Sequence, residues 1–322
     1  MAATKRPYRE GIYLKAQPAS LATATFFRRP HDLTFVLRSL TVNSLIWISS
    51  LEPNEKGTTD RVHDDLQPYF VSIGLPFHLI EPKSASELLA GLDALAKRAK
   101  DGLRPMIHFD THGSKSNGLY IAASREFVPW QQFVERLRPI NVATGNNLCV
   151  VSAACFGLHV IMSIHVGSPA PFFALVAPEN TVSFGFVEQR TVPFYEAVFK
   201  GLDVVSAHEQ HLAPDFRLFL CEKMLLVGLT KYVRNYCMGK GGKKRIEDLL
   251  TQAVAGGLPN TPKNRRLARR TAKQRIKPDQ ALIDKYMQTF LVGKKVDVTI
   301  KQIVDLAQAR PQQRRPPKGR KR

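Results

Sequence analysis

Two short stretches hold residues that could do covalent chemistry together. His112-Gly113 follows the apolar stretch Pro105 to Thr111, and Cys155 follows a second one, Leu148 to Ala154. A thiol is a poor nucleophile until it gives up its proton, so it needs a neighbouring base. Imidazole suits that role near neutral pH. A glycine directly after the histidine can bring its backbone N–H close to a developing oxyanion, because no Cβ stands in the way. The Cys155 N–H would be the second donor. His112 and Cys155 lie 43 positions apart. That is room for a loop, a short strand and a helix between two neighbouring parallel strands.

The two residues can meet only if both stretches are strands ending at one edge of a sheet. The pattern from Ser44 onward predicts such a sheet. Ser44 to Leu51 is β-branched and apolar, so it reads as a buried strand. Asp60 to Ile73 carries Val62, Leu66, Tyr69, Phe70 and Ile73 at helical spacing, with Asp60 as cap and Gly74 as stop. Phe77 to Ile80 is a second strand. Leu88, Leu92, Leu95 and Ala99 mark the next helix, capped by Ser84 or Ser86. Pro105 to Thr111, Leu148 to Ala154 and Phe172 to Ala177 are further strands. Helices are expected at Trp130 to Leu137 and from Val192. Strands alternating with helices imply a parallel sheet covered on both faces. Chemistry in such sheets gathers at the carboxyl ends of the strands.

With those elements in place, the chain resembles the caspase-like cysteine peptidases. Ala153-Ala154-Cys155-Phe156-Gly157 matches the Ala-Cys-x-Gly part of the caspase signature, with a histidine upstream. Lys56-Gly57-Thr58-Thr59-Asp60 looks like the Gly-Thr-Asp loop after the first strand of caspases. Phe184 to Ala207 looks like the segment that follows the cysteine in the prokaryotic CHAT branch. The resemblance covers roughly residues 44 to 208. It implies an α/β fold, a three-layer sandwich with a mostly parallel central sheet. It also implies Cys155 as nucleophile, His112 as general base, and the Gly113 and Cys155 N–H groups as oxyanion hole. Relatives of this kind include peptidases of antiviral and cell-death systems, some of which activate gasdermin-like pore formers. A protein substrate is therefore expected, with no metal or organic cofactor.

Lys56, Asp110, Ala153 and Phe156 are the candidate lining of the substrate cleft. Caspases that cut after Asp have an Arg in the loop and a Gln two residues before the cysteine, and metacaspases have an Asp there. Here the position is Ala153, and the loop offers Glu55 and Lys56 with no Arg before Gly57. An alanine cannot pair a charged side chain, and burying one unpaired costs several kcal/mol. The residue before the scissile bond (P1) is therefore expected to be small or apolar, with Leu a fair choice.

Zinc is a poorer reading. His108 and His112 have the spacing of an H-E-x-x-H motif, but Phe109 replaces the Glu and the segment is a strand, which holds such positions roughly 13 Å apart. His208, His211, Cys221 and Cys237 are irregularly spaced, and Cys221 sits in an apolar run. Asp110, two residues before His112, would share its face of the strand, either orienting the base, lining the cleft or serving structure.

The chain has 322 residues, 44% hydrophobic and 23% charged, which suits a folded protein rather than a disordered one. No apolar run approaches the roughly 20 residues of a membrane span. Met1 to Pro7 is not followed by an apolar signal core, so no secretion is expected. Four scattered cysteines fit a reducing cytoplasm better than a disulfide framework. The net charge of +20 is unevenly spread: residues 1–230 hold 22 Lys+Arg against 21 Asp+Glu, and residues 231–322 hold 25 against 6. Four regions are expected: an N-terminal extension of the core (1–43), the caspase-like domain (44–210), a basic helical region (211–309, with Phe216 to Val233 as one helix) and a disordered basic tail (310–322). Residues 260–322 could bind nucleic acid without sequence preference, or an anionic surface or protein partner, or could simply be a solvated tail. A second functional reading follows: a noncatalytic caspase-like scaffold whose basic region does the binding.

Overall fold

The computed structural model describes residues 12–14, 40–201 and 203–309. The expected tail at 310–322 and most of the N-terminal extension lie outside the described residues. From the extension, β1 (Ile12–Leu14) pairs antiparallel with β2 (Leu40–Val42).

The strands expected around the chemistry form one sheet. β3 (Ser44–Ser50), β4 (Phe77–Ile80), β5 (Pro105–Thr111), β9 (Cys149–Ser152) and β10 (Ala174–Pro178) run parallel. β11 (Phe216–Leu220) adds antiparallel to β10. The strand order is β4–β3–β5–β9–β10–β11. Every residue of β3 and of β5 is buried, as a central parallel strand requires. Each large apolar side chain hidden in this way contributes about 1.5–3 kcal/mol. Between β5 and β9 a small antiparallel sheet intervenes, made of β6 (Gly113–Ser114), β7 (Gly118–Ile121) and β8 (Glu126–Val128).

Helices cover both faces. α1 (Lys56–Ser72) packs against α4 (Phe184–Gly201), and α2 (Ala85–Lys100) against α3 (Trp130–Ala143). Strand alternation separates the pairs. Trp47 of β3 stacks on His108 of β5 at 3.7 Å, and His108 meets Tyr195 of α4. Phe109, the next residue, points to the opposite face and meets Phe133 of α3 edge-on at 4.8 Å. The result is a three-layer α/β/α arrangement. α5 (Val204–Ala207) follows α4, with its N-terminal N–H groups capped by Asp203.

Two local readings are corrected. Lys56 to Asp60 is not a loop, because α1 begins at Lys56. Glu52 to Glu55 closes a tight turn (Glu55 N–H to the Glu52 carbonyl, 2.9 Å) that starts the helix four residues before Asp60. Phe216 to Leu220 is not helical. It has helix-forming residues, but its backbone completes the sheet edge beside β10, and tertiary pairing overrides local propensity.

The chain divides into two compact units, residues up to 224 with 286–297, and 225–285 with the remainder from 298. Two of the three boundaries fall within α6 (Cys221–Tyr232) and α9 (Gln280–Thr289), and the third, after Asp297, lies between helices. In the second unit α7 (Gly239–Ala255) packs on α8 (Pro262–Arg275) and on the π-helical segment Val233–Cys237. α10 (Ile300–Gln308) is opened by a Thr299–Gln302 capping box, and Arg234 satisfies its Leu306 and Ala307 carbonyls at 2.8 and 2.9 Å. Among the described residues no helix is long and apolar enough to cross a membrane.

Candidate active site

The sheet order brings the site together. β3 leads outward to β4, while β5 and β9 follow on the other side of β3. A crevice opens at the carboxyl ends of the strands where the order reverses, the position at which open α/β sheets bind ligands. His112 leaves the end of β5 and Cys155 follows the neighbouring β9. Both line one cleft, walled by Trp47, Leu51, Val62, Ala153, Val182 and Phe184 among others.

Gly113 is where the two strand ends meet. A Cβ at this position would stand 2.1 Å from the Cys155 carbonyl oxygen and 3.2 Å from the Ala154 Cβ. Only glycine permits that approach, whatever its φ. The ladder bond here runs from the Tyr120 N–H to the His112 carbonyl at 2.9 Å, and so does not use the Gly113 N–H. On the cysteine side the chain turns sharply. Phe156 adopts φ 59°, a left-handed conformation unusual for a bulky residue, and its N–H is held by the Asn180 carbonyl at 3.1 Å. β9 has ended at Ser152, and the turn three residues later leaves Cys155 half-buried, while Cys149 and Cys221 are fully buried. The Val182 N–H donates to Cys155 Sγ at 3.5 Å.

The histidine has a partner that the sequence reading passed over. His112 Nε2 lies 2.8 Å from Glu55 Oε2. A carboxylate only accepts, so Nε2 is the donor of this bond, and in the neutral imidazole Nδ1 is then the nitrogen with the free lone pair. Glu55 is itself fixed, since the same oxygen accepts the Glu52 N–H at 3.2 Å. The edge of Phe184 packs on the imidazole at 5.8 Å. Among the described residues there is no hydrogen bond between Cys155 and His112. Glu55 was visible in the sequence only as a charged residue beside Lys56. Its 57-residue separation from His112 carries no pattern a motif could show.

Asp110 is buried in the cleft wall and accepts a hydrogen bond from the Thr59 hydroxyl of α1. Burial pushes its carboxyl up to about 6, against the opposing effect of that hydrogen bond. Its shared strand face places it in the cleft with His112, but Glu55 holds the imidazole. His108, also on this face, is buried with Nδ1 2.8 Å from the Tyr195 hydroxyl, and burial pushes it down to about 3. It stays neutral, a core histidine.

Of the four cleft candidates, Ala153 and Asp110 line the cleft, and Lys56 and Phe156 lie outside its lining. Lys56 turns away, because α1 carries it toward the end of β4, where its ammonium pairs with Glu81 at 2.5 Å. Phe156 is outside the lining, since its left-handed backbone takes it out of the strand direction. Among the described residues no group of three His, Cys, Asp or Glu side chains could hold a metal ion. His208 Nε2 is 3.0 Å from the Phe216 carbonyl, and Cys221 contacts Asn146 at 3.5 Å.

No protein-family model matches the chain, and no curated protein matches it.

Proposed function

We propose that this protein is a caspase-like cysteine endopeptidase. The observation that carries the reading is the convergence of Cys155, His112 and Gly113 at two adjacent strand ends, with Glu55 holding His112 Nε2 at 2.8 Å. In the proposed reaction His112 Nδ1 takes the Cys155 proton and the thiolate attacks the peptide carbonyl. The carbonyl electron pair moves onto oxygen, where the Gly113 and Cys155 N–H groups stabilise it. Collapse expels the amine, which takes the proton from the imidazolium and leaves a thioester. Water then adds to the thioester, with His112 as its base, and releases the acid and the thiol. Every proton has a donor or acceptor in the chain, so the sequence of steps calls for no cofactor.

The cleft wall supports a small or apolar P1 residue. Leu51, Val62, Ala153, Val182 and Val187 supply apolar surface, and the single buried carboxyl, Asp110, is engaged by Thr59. From the resemblance we infer limited proteolysis of a cytoplasmic protein substrate in prokaryotic defence or cell death, a gasdermin-like pore former being the kind of target expected.

Cleavage-site mapping tests the reading. The purified protein and its Cys155→Ala variant are incubated with a diverse peptide library, and new termini are read by mass spectrometry. Cuts that vanish in the variant support the peptidase. Absence of cuts, together with a Cys155 thiol no more reactive toward an electrophilic peptide probe than the buried Cys149, would sink it in favour of the noncatalytic scaffold.

A further inference from the structure

The second unit carries a charge pattern that the peptidase does not use. On α8, Lys263, Arg266, Arg270 and Lys273 recur every three or four residues, and Lys277 continues the spacing just past the helix end. That spacing keeps all five on one side of a helix. All five are exposed and, among the described residues, none makes an ion pair. The side that packs inward carries Ala272 and Ile276 instead. Arg269, off the stripe, is the helix cation that is neutralised, gripped by Glu247 of α7 with two bonds of 2.8 Å.

Like charges three and four residues apart oppose helix formation. The helix is held by a Thr261 cap, a proline at its first position and packing on α7. An extended anion would relieve the repulsion. From Lys263 to Lys277 the stripe is about 21 Å long, which matches about six base pairs of a duplex. A membrane surface fits less well. Interfacial helices need an apolar face toward the lipid, and the exposed large apolar residue of α8 is Leu267 alone among the described residues.

We propose that the exposed face of α8 binds the phosphate backbone of a nucleic-acid duplex. Phosphate contacts without base contacts give affinity without sequence preference. α8 has no aromatic residue on which unpaired bases could stack, so a duplex is favoured over a single strand. DNA and RNA duplexes share the recognised chemistry, and separate arms of the experiment tell them apart. The proposal is independent of the peptidase reading and is tested on the catalytically silent Cys155→Ala protein.

The experiment titrates full-length protein onto labelled 20-base-pair DNA, 20-base-pair RNA and a single-stranded 20-mer by fluorescence anisotropy from about 50 to 200 mM salt. Each phosphate contact adds about 0.9 to the slope of log affinity against log salt on a DNA duplex. The triple variant Arg266→Ala, Arg270→Ala, Lys273→Ala should lower the DNA slope by about 2.7. These are exposed positions and alanine favours helix, so circular dichroism should be unchanged. A control, Lys97→Ala with Lys100→Ala on α2, removes exposed charge from the first unit and should leave the slope alone. Binding that is unaltered in the triple variant, reduced equally by the control, or detected on phosphatidylserine vesicles but on no duplex would overturn the proposal.

Discussion

The Glu55 carboxylate joins His112 Nε2, at 2.8 Å, to the backbone that opens α1, where the Glu52 N–H donates to the same oxygen at 3.2 Å. The imidazole is thereby anchored to the end of β3 as well as to its own strand, β5. With Nε2 donating to Glu55, Nδ1 is the ring nitrogen that can accept a proton in the neutral imidazole. Glu55→Gln removes the charge that stabilises an imidazolium but preserves most of the shape. We expect kcat for peptide cleavage to fall by up to about 10,000-fold, the loss seen for the orienting acid of other triads, with KM little changed. Glu55→Asp should restore part of the loss. Steady-state kinetics on a peptide found by the library decide it, and equal kcat in Glu55→Gln and wild type would remove Glu55 from the mechanism.

Gly113→Ala should be damaging for a steric reason. The new Cβ would lie 2.1 Å from the Cys155 carbonyl oxygen, which is backbone and cannot rotate away. Pushing β6 off the Cys155 turn should cost about 1–3 kcal/mol, as overpacking does, and should abolish cleavage. Urea denaturation and an activity assay test the two parts separately. Gly145, with open space around its Cβ position, is the contrasting site for steric cost, though its φ of 69° still disfavours alanine.

Asp110 and His108 give opposed pH dependences. The Asp110 carboxyl, pushed up to about 6, keeps its proton in the folded protein across about pH 4–6, where the unfolded chain has lost it. Stability from this residue therefore falls as pH rises through that window. His108, pushed down to about 3, refuses a proton that the unfolded chain accepts below about pH 6.5. Its contribution falls as pH drops. Each slope is about 1.4 kcal/mol per pH unit at most, and between pH 4 and 6 they offset each other. Asp110→Asn should expose the histidine limb, adding about 2–3 kcal/mol to the loss of stability on going from pH 6 to 4. Urea midpoints across that range measure it. Parallel wild-type and variant curves would show that Asp110 does not titrate as its burial requires.

Ala153 lines the cleft without a polar atom on its side chain. The peptide library should yield cuts after Leu and other small or apolar residues. Ala153→Asp should then admit Lys or Arg at P1 and weaken the apolar preference about 10-fold or more, since a buried carboxylate needs a partner. Cuts by the wild-type protein only after Asp, or only after Arg, would overturn the assignment of the pocket.

Much of this was legible in the sequence because it rests on local patterns. The apolar β-branched runs expected at Pro105 to Thr111 and Leu148 to Ala154 hold β5 and the shorter β9, Cys149–Ser152, side by side in the sheet, with His112 and Gly113 directly after the first and Cys155 three residues past the second. Leu88, Leu92, Leu95 and Ala99 form the buried face of α2, and Ser84 caps it through the Glu87 N–H. Other features depended on partners distant in the chain. Phe216 to Leu220 reads as helix by composition, yet the open edge of β10 pairs its backbone and makes it a strand. Lys56 and Glu55 are adjacent charges with equal prospects in the sequence. The turn at Glu52 sends one to Glu81 and the other to His112, because the first turn of a helix points neighbouring side chains roughly 100° apart. By itself the sequence determined the parallel strands of the central sheet and the places of His112, Gly113 and Cys155 along them, since periodicity and residue type act over a few neighbours. Only the tertiary structure decided which carboxylate orients the histidine and which merely lines the cleft, because that choice is made by side chains converging from separate strands across a sheet.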